Sequence, residues 1–240
     1  MAAAAVPSKP DYGIEAPRAM RGMFSRGAWT LLFAIVIFYV NHAEYPGPSV
    51  RILVVLGLIA AAFVAAGAVM LWSSRVGKFQ VRDQILDALQ LRGDERVLDL
   101  GSGRGLMLIG AARRLKNGRV TGVDLSGEAD QAKENAKLEG VAEKTRVDSM
   151  PAEKLPYPDG HYDAAVSVLA LRNIGDLTVR AQLVREMFRV VKPGGRLAIF
   201  DTLRTGEYAA LLREAGAASV ELSPVRFLWC MPCRTVTAKK

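Results

Sequence analysis

The sequence predicts an α/β domain, a mostly parallel sheet with helices on both faces, behind an α-helical transmembrane hairpin. Three observations carry that expectation. Two apolar runs, residues 27–40 and 52–72, lie near the start of a chain of 240 residues. Beyond them strand-like and helix-like segments alternate, as in a parallel sheet with crossover helices. A glycine-rich stretch, RVLDLGSGRG at residues 96–105, stands where the first strand of that alternation meets a helix.

The first run, GAWTLLFAIVIFYV, is short for a membrane span, which needs about 20 apolar residues. The second, ILVVLGLIAAAFVAAGAVMLW, meets that length and carries no charge. A Pro/Gly turn at residues 41–51 joins them. Arg18, Arg21 and Arg26 precede the pair, and Arg75, Lys78 and Arg82 follow it. The positive-inside rule then places both ends in the cytoplasm. Trp29, Tyr39, Tyr45 and Trp72 stand near the run ends, where aromatic belts form. Gly57, Ala61 and Ala65 recur every fourth residue and are expected to let the two helices approach. A cleaved signal peptide fits poorly, because a second apolar run follows. The bland alternative is a buried hairpin in a soluble protein. The expected division is a cytoplasmic segment at 1–26, the hairpin at 27–72 and a catalytic domain at 73–240.

Half of the residues are hydrophobic and 23% are charged, which excludes disorder. Two cysteines cannot build a disulfide scaffold. The net charge is +8. Basic and acidic residues are interspersed along 73–240, so no nucleic-acid-binding stripe is visible and no nucleic-acid partner is expected.

Hydrophobic periodicity places the elements. A helix is predicted at 79–89, with Phe79, Ile85, Leu86 and Leu89 at helical spacing. Strand 96–100 and helix 106–115 flank the glycines. Strand 119–124 (RVTGVD) leads to helix 127–139, and a weak strand follows at 145–149. YDAAVSV, 162–168, reads as a buried strand. Helix 177–190 is amphipathic and is expected to close at Lys192-Pro193-Gly194-Gly195. Strand 196–202 (RLAIFDT), helix 207–215 and strands 219–222 and 235–238 complete a set of seven strands.

The glycine stretch carries the chemistry. Gly101, Gly103 and Gly105 permit a tight turn and close backbone approach to a ligand. The following helix offers free N–H groups to an anionic group. Asp124 ends the next strand, where a carboxylate can hold ribose hydroxyls. A dinucleotide site would want a third glycine at position 106, which is Leu106. Asp99, inside the strand, would repel a pyrophosphate but suits a ligand bearing an amino group, such as S-adenosylmethionine (SAM). A buried carboxylate without such a partner is costly.

VLDLGSGRG, VTGVDLS, LPYPDGHYDAAVSV and LVREMFRVVKPGGRLAIFD together resemble the class I SAM-dependent methyltransferases, in the family's order. LALRNIGD is similar to the ubiquinone/menaquinone C-methyltransferases, whose usual pattern lacks the hydrophobic hairpin. The resemblance implies a Rossmann-like seven-stranded sheet with SAM as cofactor. It implies that Asp99, Gly101 and Gly103 hold the methionine portion, with Ser102 and Gly105 in the same loop. Asp124 would take the ribose, and Leu125 would lie against adenine. Leu169 would border the methyl group. The family often has an acid where Pro151 stands, so adenine is expected to meet backbone groups at Met150, Pro151 and Ala152.

Candidates for acceptor chemistry are few. Arg172 and Asn173 follow the fourth strand near the mouth of the site. Asn173 either bonds a substrate oxygen or caps local backbone. His42 lies in the predicted external turn, and His161 reads as a solvated turn residue. Cys230 and Cys233 read as ordinary thiols, and no metal site is expected. The anchor points to a lipophilic acceptor, a quinone or phenol, a lipid headgroup or a thiol. The alternatives are a nucleotide-dependent oxidoreductase and a non-catalytic SAM-binding membrane protein. Residues 73–78 read as a short linker that would keep the catalytic domain near the bilayer.

Overall fold

The structure, a computed structural model, describes residues 9–150, 154–202 and 204–240. It divides into two compact units. One is Ile14–Lys78 with Phe227–Met231, and the other comprises the described residues up to Gly13 with Phe79–Arg226 and Pro232–Lys240.

The helical unit is built on α1 (Pro17–Asn41) and α2 (Pro46–Trp72), each with proline in its first turn. Proline fits there because that position has no intrahelical N–H bond to lose. α1 starts well before its apolar run, so Arg18, Arg21 and Arg26 ride on its first turns. At 25 residues it measures roughly 37 Å, enough to span a bilayer core. The helices touch through small residues, but not the expected ones. A Cβ added at Gly27 would lie 2.9 Å from Val64, and one at Gly67 2.9 Å from the Phe24 ring. Around Gly57 the space is empty, and Ala61 and Ala65 are exposed. The seam on α2 runs through Ala60, Gly67 and Met70, a heptad-like stripe that turns Ala61 and Ala65 outward. The outward faces are apolar: Trp29, Phe33, Val54 and Leu58 are each more than half exposed.

α2 continues into a π-helical turn, Ser73–Gly77, where a short linker was expected. That turn has a partner from far along the chain. The Trp229 backbone N–H donates to Ser73 Oγ (3.1 Å), and its indole N–H to Ser74 Oγ (3.0 Å). Trp229 and Cys230 both adopt positive φ, +50° and +59°, in the tight turn between the last two strands.

In the α/β unit the strands are β1 (Arg96–Leu100), β2 (Arg119–Asp124), β3 (Thr145–Ser149), β4 (Tyr162–Val168), β5 (Val191–Thr202), β6 (Ser219–Leu222), β7 (Arg226–Leu228) and β8 (Met231–Lys239). The order is β3-β2-β1-β4-β5-β8-β6, with β7 beside β8. The first five pair in parallel, while β8 runs antiparallel to β5 and β6. The sheet therefore has eight strands rather than seven, the extra one being short β7. The helices are α3 (Lys78–Ala88), α4 (Leu106–Arg114), α5 (Ala129–Leu138), α6 (Leu177–Val190) and α7 (Thr205–Glu214). Residues 192–195, expected as a turn closing α6, bulge within β5: Tyr162 pairs with Val191 and Ala164 with Arg196. β8 starts earlier than expected because its partner residues on β5 run from Arg196 to Thr202. Leu98, Val123, Ala165 and Ile199 of the sheet pack with Leu183, Val184 and Met187 of α6 in one core. Asp176 caps α6, accepting from the N–H groups of Thr178 (2.7 Å) and Val179 (3.2 Å).

Candidate cofactor site

β1, β2, β4 and β5 all end at one edge of the sheet, and the glycine loop forms there. The N–H groups of Gly101 and Ser102 donate to Val123 O (2.8 and 3.0 Å), tying the loop to β2. Gly101, Gly103 and Gly105 take φ of +81°, +48° and +85°. Space decides two of the three as well. A Cβ at Gly101 would lie 2.1 Å from Ala170 Cβ, so glycine here lets the loop after β4 close against it. A Cβ at Gly105 would lie 3.3 Å from Ala132 of α5, so that glycine serves helix packing.

Asp99 lies fully buried beneath this loop. The Leu108 N–H, in the first turn of α4, donates to its carboxylate, while Oδ2 has no partner. Burial without a counter-charge pushes its pKa up to about 7. Ser102 Oγ, also buried, is likewise without a partner. A carboxylate with an orphaned oxygen and an adjacent orphaned hydroxyl fit the ammonium end of an amino acid. SAM carries such a group, so these residues fit it.

Asp124 is more occupied than the sequence suggested. Its Oδ1 accepts from Ser126 N–H and Oγ–H (2.9 Å each), and its Oδ2 from Ala129 N–H (2.9 Å). It anchors the start of α5. With about four lone-pair sites on a carboxylate, one remains on Oδ2 for a ribose hydroxyl. Leu125 and Met150 are half-buried against the core. Pro151 and Ala152 lie outside the described residues. Asp148 accepts from Arg146 Nε (2.7 Å) and Tyr157 OH (3.0 Å). Leu169 follows β4 directly with φ +56°, and its N–H donates to Phe200 O (2.9 Å).

Arg172 and Asn173 lie in a single 3₁₀ turn, Leu171–Asn173. Asn173 Nδ2 donates to Leu169 O (3.3 Å), which is the local backbone cap of the two roles considered. The Arg172 N–H donates to Asp201, a buried carboxylate at the end of β5. Asp201 also accepts from Thr202 N–H (2.7 Å) and Tyr208 OH (3.1 Å), and burial raises its pKa. Burial, with Asp201 beside it, pushes the Tyr208 hydroxyl up as well. This Asp201–Tyr208 pair, tying β5, α7 and the 3₁₀ turn together, was not foreseen. The signal was present: an aspartate ending the apolar run RLAIF, the same pattern that marked Asp99.

The N-terminal strap also belongs to this unit. Asn135, fully buried on α5, donates to Asp11 O (2.8 Å) and Arg104 O (2.9 Å) and accepts from Asp11 N–H (2.9 Å). Arg104 of the glycine loop pairs with Asp11 (2.6 Å) and Glu128 (2.8 Å). His161 lies before β4, at the opposite edge of the sheet. Cys233 is buried in β8 and Cys230 exposed. Among the described residues no three His, Cys, Asp or Glu side chains are grouped to hold a metal ion.

Residues 97–195 match the family described as methyltransferase domain. That segment is similar to methyltransferase domains, and it contains Asp99 and the glycine loop, which supports SAM as the cofactor. The ubiquinone/menaquinone biosynthesis C-methyltransferase UbiE of Geotalea daltonii is 34% identical over 108 residues, 44% of this chain and 45% of that protein. The 27-O-demethylrifamycin SV methyltransferase of Amycolatopsis mediterranei is 32% identical over 137 residues, 57% of this chain and 49% of that protein. The chain thus spans about half the length of the curated relatives it matches. Among solved structures, the [4+2]-cyclase SpnF superposes with a TM-score of 0.59 at 20% identity, covering 70% of this chain and 83% of that one. The geranyl diphosphate C-methyltransferase of Streptomyces coelicolor gives 0.57 at 19%, covering 72% and 81%. These likenesses establish the Rossmann-like methyltransferase fold. One of them is a cyclase, so the reaction must be argued from the site.

Proposed function

We propose that this chain is a membrane-anchored SAM-dependent methyltransferase acting on a small lipophilic acceptor, with its catalytic domain in the cytoplasm. The orphaned Asp99 oxygen beneath the glycine loop is the observation that carries the cofactor assignment. Bound SAM supplies a methyl group already activated on a sulfonium, so the protein's contribution is to bind, orient and exclude water. Asp99, ionised, holds the ammonium, and Ser102 Oγ is placed beside it. With the Leu108 N–H spent on Asp99, the Leu106 and Met107 N–H groups at the start of α4 are left for the carboxylate of SAM. The remaining Asp124 lone pair takes one ribose hydroxyl, and Leu125 and Met150 provide the apolar wall for adenine. Asp201, through Tyr208 and the Arg172 N–H, holds the β5 edge and the 3₁₀ turn in place around the acceptor.

Two observations support the anchor. The outward faces of α1 and α2 are apolar along most of their length, and only 11% of each hydrophobic window is buried. A core helix of a soluble protein would be mostly buried. The lipophilic acceptor class is supported by that anchor and by relatives named for a quinone pathway and a geranyl diphosphate. Asp99 and Leu106 disfavour a dinucleotide, as the pyrophosphate would meet a carboxylate.

The test is to reconstitute the full chain in liposomes made from a native lipid extract and supply SAM labelled in its methyl group. Label should appear in an organic-extractable product and disappear in Asp99→Ala. Label confined to water-soluble metabolites would reject the lipophilic acceptor, and no transfer would reject the enzyme.

A further inference from the structure

The edge of the sheet opposite the glycine loop carries a concavity, with a volume of about 380 Å³. That is the size range of small-molecule sites. Arg96, Arg119, Lys144, Arg146 and His161 line it, with Thr121 among the polar groups, and no carboxylate does. Each comes from the start of a neighbouring parallel strand or the residue just before it. The register explains the concentration of charge. Arg96 and Arg119 are Cα partners on β1 and β2, and Thr121 and Arg146 are partners on β2 and β3. Partners share a face, and so do residues two apart on one strand, so all three arginines emerge on the same side.

Adjacent strands are about 4.8 Å apart, so the Arg96 and Arg119 stems begin as immediate neighbours. Like charges in that position destabilise a sheet. Nearby carboxylates relieve them only in part, Asp163 acting on the Arg96 charge without forming an ion pair with it. Asp163 pairs with Lys192 Nζ (2.5 Å) and accepts the Arg96 backbone N–H (2.8 Å). Asp148 pairs with Arg146 Nε (2.7 Å) and takes the Tyr157 hydroxyl. Glu95 is folded onto the N–H groups of Arg92 and Gly93. Among the described residues neither the Arg96 nor the Arg119 guanidinium forms an ion pair, although Asp163 lies near enough to Arg96 to feel its charge. Lys144 Nζ spends one donor on Leu115 O (2.7 Å) and keeps two.

We propose that this amino-edge pocket binds a phosphate-bearing anion, with Arg96 and Arg119 as its principal ligands. Two guanidinium forks side by side match tetrahedral phosphate oxygens, and a doubly charged group removes the repulsion between them. Lys144 adds positive charge at the rim, where Arg146 shares its charge with Asp148 and the Thr121 hydroxyl is bonded to Tyr162. The site is separate from the methyl-transfer edge: β1 is five residues long, which puts roughly 15 Å between the two ends. The same phosphate chemistry has two sources, a soluble phosphorylated metabolite or the headgroup of an anionic phospholipid.

The experiment uses the full chain in phosphatidylcholine nanodiscs, titrated with pyrophosphate by calorimetry at low ionic strength, where exposed charges are least screened. Binding in the millimolar range or tighter is expected. Arg96→Gln combined with Arg119→Gln should weaken it by about tenfold or more. The double lysine variant, which keeps both charges but loses the forks, should fall between the two. Both side chains are solvent-facing, and an unchanged unfolding midpoint verifies that the variants fold. Repeating the titration in discs containing phosphatidic acid separates the sources. Suppressed pyrophosphate binding identifies the lipid headgroup, and unchanged binding identifies a soluble phosphate. Absence of pyrophosphate binding in the phosphatidylcholine discs, or binding unaffected by the double glutamine variant, overturns the proposal.

Discussion

Asp99 should behave as a proton switch coupled to cofactor binding. In the free protein its carboxyl titrates near 7 because it is buried with one oxygen unpartnered. At pH 6 about nine-tenths of the molecules then hold a proton there, and at pH 8 about one-tenth. The ammonium of SAM requires the ionised form. Binding at pH 6 should therefore release close to one proton per SAM, and at pH 8 almost none. Calorimetry in two buffers of different ionisation enthalpy reads that number directly. The same group has a stability signature. Its folded pKa is raised above the unfolded value near 3.9, so the native state holds the extra proton between about pH 4 and 7. Stability then falls as pH rises through that window and is lowest above it. A carboxyl raised to about 7 by burial costs the native state on the order of 4 kcal/mol at most above that window. Asp99→Asn should raise the stability of the cofactor-free protein at pH 8, leave it nearly unchanged at pH 4, and abolish SAM binding. No proton release at pH 6, together with unaltered SAM affinity in Asp99→Asn, would refute the reasoning.

Other expectations follow from single contacts. Gly101→Ala should cost at least about 1–3 kcal/mol, from its positive φ and the collision with Ala170, and Ala170→Gly should recover part of that loss in a thermal-unfolding double-mutant cycle. Asp124→Ala should lower stability by about 1–3 kcal/mol by freeing the Ser126 and Ala129 N–H groups, besides weakening SAM affinity; an unchanged melting curve would show that those bonds contribute nothing. Gly67→Leu should separate α1 from α2 while Gly57→Leu is neutral, read as protease sensitivity of the hairpin in liposomes. A cysteine placed at Gly47, where the surroundings are open, should be labelled only from the side opposite the catalytic domain; labelling from the same side reverses the topology.

Much of the fold was legible because local signals agreed. β1, β2 and β4 are apolar runs bounded by turn residues, and their predicted limits coincide with the observed ones. Asp99 was legible because a carboxylate inside an apolar strand demands a partner. The rest depended on contacts distant in sequence. Nothing around Gly101 reveals that Ala170, brought up by β4, is what excludes a side chain there. Nothing around Ser73 announces Trp229, so the segment 227–231 could not be assigned to the helical unit. The Gly57–Ala61–Ala65 pattern obeyed a known helix-pairing rule, yet the seam is set by where Phe24 and Val64 fall on the facing helix. Asp201 was passed over because an aspartate ending a strand also reads as an ordinary turn residue. The arginines opening β1 and β2 are 23 positions apart in sequence, and only the register brings them side by side.

The central claim, that this chain transfers a methyl group from SAM to a membrane-dissolved acceptor, is tested most directly by one measurement. The full chain in liposomes of native lipid receives SAM labelled in its methyl group, and the organic phase is profiled for new labelled species. A labelled lipophilic product should grow with time and be absent with Asp99→Ala. Undiminished labelling with Asp99→Ala, or SAM consumption with no label in the organic phase, would contradict it.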